Sequence, residues 1–90
     1  MASNFRISHH KKSDNLHLKL MGDFDGSSAY ELLNVLEENR NYVVRVFIHT
    51  GNLKTVYPFG REVFQNNLSV HKRSPQLIFT GRNGRKIAPD

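Results

Sequence analysis

The spacing of apolar residues predicts one small α/β domain: a mixed four-stranded sheet with helices packed against it, in the order β-β-α-β-α-β. Three observations carry this prediction. Leu16, Leu18 and Leu20 alternate with His17 and Lys19 at the two-residue period of a strand. Ala29, Leu32, Leu33 and Leu36 recur at the period of a helix. Tyr42 to Ile48 is an almost unbroken β-branched and aromatic run, the pattern of a strand buried on both faces.

Taken in order, Phe5 and Ile7 alternate with Arg6 and Ser8 as a short first strand. The polar stretch from His9 to Asn15 reads as the turn that closes an antiparallel hairpin with the leucine strand. Ser28 followed by Glu31 fits a capping box, which starts the first helix at Ser28 and lets it fade near Asn39. The run from Tyr42 to Ile48 is then the central strand, reached by a crossover and ended by His49-Thr50-Gly51-Asn52. Pro58 suits the first position of a second helix, because its missing N–H is not needed there. Phe59, Val63, Phe64 and Leu68 supply the apolar stripe of that helix, and Leu77 to Phe79 forms the last strand. The expected division is a domain over 1–81 and a basic, mobile tail over 82–90.

The 90 residues have room for a single modest core, which hides about 60–65% of the unfolded surface. There is no cysteine, which excludes disulfides and thiolate metal sites. No segment approaches the ~20 apolar residues of a membrane span. The N-terminal residues lack the pattern of a secretory signal, so the expectation is a cytoplasmic protein that does not engage a membrane. The formal net charge of +5 is unevenly spread, with acidic residues gathered between Asp23 and Glu38 and basic residues nearly everywhere else.

The chemistry-bearing residues form no catalytic constellation. Asp23 and Asp25 precede the first helix, where a carboxylate satisfies backbone donors; Asp23 reads as a solvated loop residue. His9 and His10 are neighbours and point to opposite faces of a strand, and His17 lies on the outward face of its own. His49 stands at the end of the central strand, the end where open α/β sheets collect ligands, and His71 sits in a basic loop. No nucleophile elbow is present, and Gly81-Arg82-Asn83-Gly84 lacks the spacing of a phosphate loop. The expectation is no catalytic residue, no metal, no cofactor and no enzymatic activity.

Gly22-Asp23-Phe24-Asp25 followed by Ser28-Ala29 resembles the signature of STAS domains, the family of bacterial anti-sigma factor antagonists. Val44 to Ile48, then Leu53, Val56 and Gly60 followed by Val63 and Phe64, match that family's third strand and second helix. The resemblance runs from about Leu16 to Thr80 and implies a module that binds a regulator or a kinase-like anti-sigma factor. It departs at one place. Where regulated members carry an Asp-Ser-Ser-Gly stretch with a phosphorylated serine, this chain reads Tyr57-Pro58-Phe59-Gly60. The expected partner-binding residues are Asn52, Lys54, Tyr57, Phe59 and Arg61, with Phe59 divided between core and surface. Asp25, Ser28 and Glu31 are the structural residues of the helix start. The alternative is a nucleic-acid-binding domain that uses Lys11, Lys12, Lys72, Arg73, Arg82, Arg85 and Lys86.

Overall fold

The computed structural model describes residues 4–68 and 75–88. Strands β1 (Arg6–Lys12) and β2 (Asn15–Phe24) precede helix α1 (Gly26–Asn39); β3 (Arg45–Val56), α2 (Pro58–Asn67), β4 (Gln76–Thr80) and a helical turn α3 (Gly84–Ile87) follow. The sheet order is β1-β2-β3-β4, with β1 antiparallel to β2 and the other two pairings parallel. The mixed four-stranded sheet of the sequence reading is therefore the observed one, with a third helical segment added.

The leucine strand behaves as its period dictates. Leu16, Leu18 and Leu20 are buried against α1 and α2 together with Val46 and Ile48 of β3, while His17 and Lys19 face the other way. Among the described residues, helices cover only this one face. Phe24 and Phe64 close the core edge to face, at 6.3 Å and 77°.

Four boundaries differ from the sequence expectation, each for a local reason. The hairpin turn shrinks from seven residues to Ser13 and Asp14, so β1 runs on to pair Lys12 with Asn15. Ser13 makes this possible by taking φ 54°. At the start of α1 the cap is Asp25, not Ser28. The carboxylate of Asp25 accepts the backbone N–H of Ser28 at 2.9 Å and the hydroxyls of Ser27 and Ser28 at 3.0 Å each, so Ser28 is a donor inside the first turn and Glu31 is left exposed.

The central strand is displaced along the chain. Tyr42 and Val44 are exposed, and β3 starts at Arg45 and continues through His49-Thr50-Gly51-Asn52 to Val56. It follows β2 over its whole length and absorbs one extra residue between His49 and Asn52 and another between Leu53 and Thr55. Phe47 and His49 lie on the face opposite Val46 and Ile48, so the strand is buried on one face only.

The segment expected as a mobile tail is packed from 82 to 88. Because β4 stops at Thr80, β3 beyond His49 has no partner on that side. The Asn83 amide takes up the slack and donates to the carbonyls of Thr50 and Leu53 at 3.1 and 3.3 Å. Ile87 then enters the core and is fully buried. Replacing Ile87→Ala should cost about 2–5 kcal/mol, the usual price of emptying a fully buried aliphatic site. Urea unfolding of the two proteins checks this, and an unchanged midpoint would show that α3 packs independently of the core.

Candidate functional site

The geometry at the start of α2 is set by one close approach. Tyr57 N–H donates to the Phe24 carbonyl at 2.9 Å, which ties the end of β3 to the end of β2. One turn into the helix, a Cβ on Gly60 would stand 2.7 Å from the carbonyl oxygens of both Phe24 and Asp25. Only glycine lets the first turn of α2 lie against the β2–α1 junction. Pro58 opens the helix at a position whose N–H is not needed, and Tyr57 is the cap residue without a side-chain capping bond.

This placement decides the ambiguity at Phe59. Its ring lies over Gly26, where a Cβ would meet it at 2.9 Å, and the residue remains 68% exposed. Tyr57 is 46% exposed and Arg61 is exposed beside it. Tyr30, 53% exposed, follows Gly26 by one helical turn and so lies on the same face of α1. Tyr57, Phe59, Arg61 and Tyr30 thus mark one surface at the two helix starts. Asn52 and Lys54 stand exposed on β3, on the strand that leads to this surface, and not in a loop. Tyr30 escaped the sequence reading because it falls off the apolar stripe of α1; the spacing from Gly26 is the signal that would have found it.

Asp25 belongs to the scaffold of this surface. The Ser28 N–H that it accepts, with the two serine hydroxyls, holds its carboxyl below the ordinary carboxylate value of 3.8. Asp23 is part of β2 and not of a loop; Asn4 binds it through both the Asp23 carboxylate and backbone N–H, each at 3.2 Å. The start of α2 offers no serine or threonine for a phosphate, as the sequence indicated.

His10, His17 and His49 gather on the bare face of the sheet, while His9, paired with Leu18, faces the other way. His17 Nδ1 and His49 Nε2 share a hydrogen bond at 2.9 Å, and His49 Nδ1 pairs with Thr80 Oγ1 at 2.7 Å. Phe47 stacks on His17 with centroids 4.7 Å apart. One nitrogen of the His17–His49 bond must be unprotonated for the bond to exist. Burial, then the charges of His17 and Lys19, push His49 below its ordinary value of 6.5. His49 is therefore a mid-strand residue in a network and not the end of a strand. Among the described residues no group of three or more His, Cys, Asp or Glu is placed to hold a metal ion, and no helix is long and apolar enough to cross a membrane. His71, Lys72 and Arg73 lie outside the described residues.

Two expectations follow. Gly60→Ala should destabilise by about 1–3 kcal/mol, the usual cost of overpacking, because carbonyl groups of the main chain cannot move aside as a side-chain tip does; thermal unfolding reads this directly. For His49 the unfolded chain takes up a proton at higher pH than the folded one, so stability should be full above the ordinary value of 6.5 and fall as pH drops below it. Denaturant midpoints measured from neutral to mildly acidic pH check the slope, which should flatten in His49→Gln.

No family model matches this sequence, and no curated protein matches it. Solved structures do share its fold. The native form of Mglu superposes with a TM-score of 0.70 at 12% identity over 82% of this chain, which spans only 23% of the Mglu chain. The antisigma-factor antagonist STAS domain from Rhodobacter sphaeroides gives 0.59 at 12% identity and covers 91% of both chains. The unphosphorylated anti-sigma factor antagonist SpoIIAA gives 0.53 at 10% identity over 91% of this chain and 94% of its own. This chain therefore shares the STAS, or SpoIIAA-like, fold of these structures.

Proposed function

We propose that this chain is a regulatory protein-interaction module that docks a protein partner on the surface formed by the starts of α1 and α2. The observation that carries this reading is the exposure of Tyr57 and Phe59, at 46% and 68%, on a backbone held in place by the Gly60 contact. Large aromatics are left on a small surface at a cost, and aromatic residues with an arginine are the residue types that anchor interfaces. A rigid helix start loses little conformational freedom on association, so contact energy is retained in binding.

The fold supports the same reading. Two structures that share it over nine-tenths of this chain are named as anti-sigma factor antagonists. By that likeness the partner is an acidic surface on a regulator or a kinase-like anti-sigma factor, met by Arg61 and Lys54. With Tyr57-Pro58-Phe59-Gly60 in place of a phosphorylatable stretch, docking at this helix start is constitutive. In this reading the chain acts in the cytoplasm and does no bond chemistry.

The nucleic-acid alternative built on the chain's basic clusters has less to support it. Lys11 and Lys12 lie at the hairpin end of β1, in line with the start of β4, whereas Arg82, Arg85 and Lys86 follow the end of β4. The described cations of that set are thus split between two ends of the sheet.

Tagged protein should retain a specific partner, identified by mass spectrometry, that Tyr57→Ala with Arg61→Ala loses. The thermal midpoint of the double variant should stay within a few degrees of the parent, since both side chains are exposed. Retention of the same partner by a folded double variant would overturn the assignment.

A further inference from the structure

The sheet face that the helices leave bare is a second surface, distinct from the helix starts. Cross-strand pairing lays its side chains in rows. His10 of β1, His17 of β2 and Phe47 of β3 are opposite one another and form a row of rings. On one side of it runs the row that holds Lys12 and Arg45; on the other come Lys19 and then Arg6. All four cations are exposed, as is His10. The chain has eight acidic residues, yet none stands in these rows from Lys12 to Arg6. Asp23, beyond the last row, is already engaged by Asn4.

We propose that this open sheet face binds single-stranded nucleic acid, with bases against the His10–His17–Phe47 row and phosphates held by Lys12, Arg45, Lys19 and Arg6. The segregation of charge gives the attraction, since rows that hold cations and no carboxylate, with Asp14 and Asp23 only at their two ends, are complementary to a polyanion. The rings give the class of polyanion. Residues two apart on a strand are about 6.6 Å apart, so cations flank the rings within the reach of a nucleotide. An acidic peptide would use the cations and leave the rings idle, whereas bases stack on aromatic surface and accept hydrogen bonds from imidazole N–H groups. Among the described residues the face is an open sheet with no helix standing out from it to enter a duplex groove, which selects the single strand.

The ring row is also held in shape. The His17–Phe47 stack and the chain of hydrogen bonds from His17 through His49 to Thr80 fix two of its three members before any ligand arrives.

Fluorescence anisotropy with a labelled oligo-uridine of about 16 nucleotides tests this on the full chain. The expected result is binding whose log affinity falls against log salt with a slope near −0.7 per phosphate contacted. Lys19→Gln with Arg45→Gln should weaken binding at least tenfold and reduce the slope, with the thermal midpoint retained because both residues are exposed. Phe47→Leu should weaken it by about tenfold, the effect of one lost stacking contact, and His10→Ala provides the same reading from an exposed position where folding is not at stake. Failure to bind at low salt overturns the proposal. So does equal binding of a duplex of the same length or of poly-glutamate, or indifference to both ring substitutions, since each leaves only unspecific charge. Tyr57 and Arg61 are intact in all these variants, so the outcome is separate from that of the helix-start surface.

Discussion

The contact at Gly60 governs how the rest of this molecule is put together. With a hydrogen atom where other residues carry a Cβ, the first turn of α2 lies against the Phe24 and Asp25 carbonyls. That places the start of α2 beside the start of α1, and it lets β3 stay paired with β2 as far as Val56 before the helix begins. The Tyr57 N–H that donates to Phe24 closes the last rung of this arrangement. Close approach of two main chains is available only where no side chain intervenes, so the surface outside the contact inherits its rigidity.

The consequence is a domain with two unlike faces. Helices gather over the side of the sheet that carries Leu18, Leu20, Val46 and Ile48, and all four are 0% exposed. On the other side His17 bonds His49 and stacks on Phe47, while Lys19 and Arg45 are exposed to solvent. Apolar burial drives assembly on the first side. On the second, hydrogen bonds and ring stacking organise polar side chains that would otherwise move independently. A small domain whose core takes up only one sheet face leaves the other open to solvent.

The long excursion of β3 explains the behaviour of the chain after β4. A strand that outruns its neighbour leaves carbonyl groups without partners, and the Asn83 amide together with the helical turn to Ile87 supplies them while filling the core edge. Nothing in the composition of residues 82–88 announces this. Arg82, Asn83, Gly84, Arg85 and Lys86 are turn formers and cations, and a single Ile87 among them is too little to make a periodic pattern.

What the sequence determined alone were the elements whose evidence is local. The leucine alternation of β2, the helical stripe from Ala29 to Leu36 and the proline that opens α2 each rest on a period or a backbone preference that acts within a few residues. The approximate place of the proposed docking surface was legible for the same reason, since Tyr57, Pro58, Phe59 and Arg61 are neighbours in the chain. Tertiary structure decided the rest. Whether Phe59 enters the core, how far β3 extends, which oxygen caps α1 and which histidines meet all depend on residues distant in sequence: Gly26, β2, the competition between Asp25 and Ser28, and the pairing of β2 with β3. The sheet face that gathers His10, His17, Phe47 and His49 exists only because hydrogen-bonded registers bring three strands together, and a register is set by the fit of whole strands and not by any one of them.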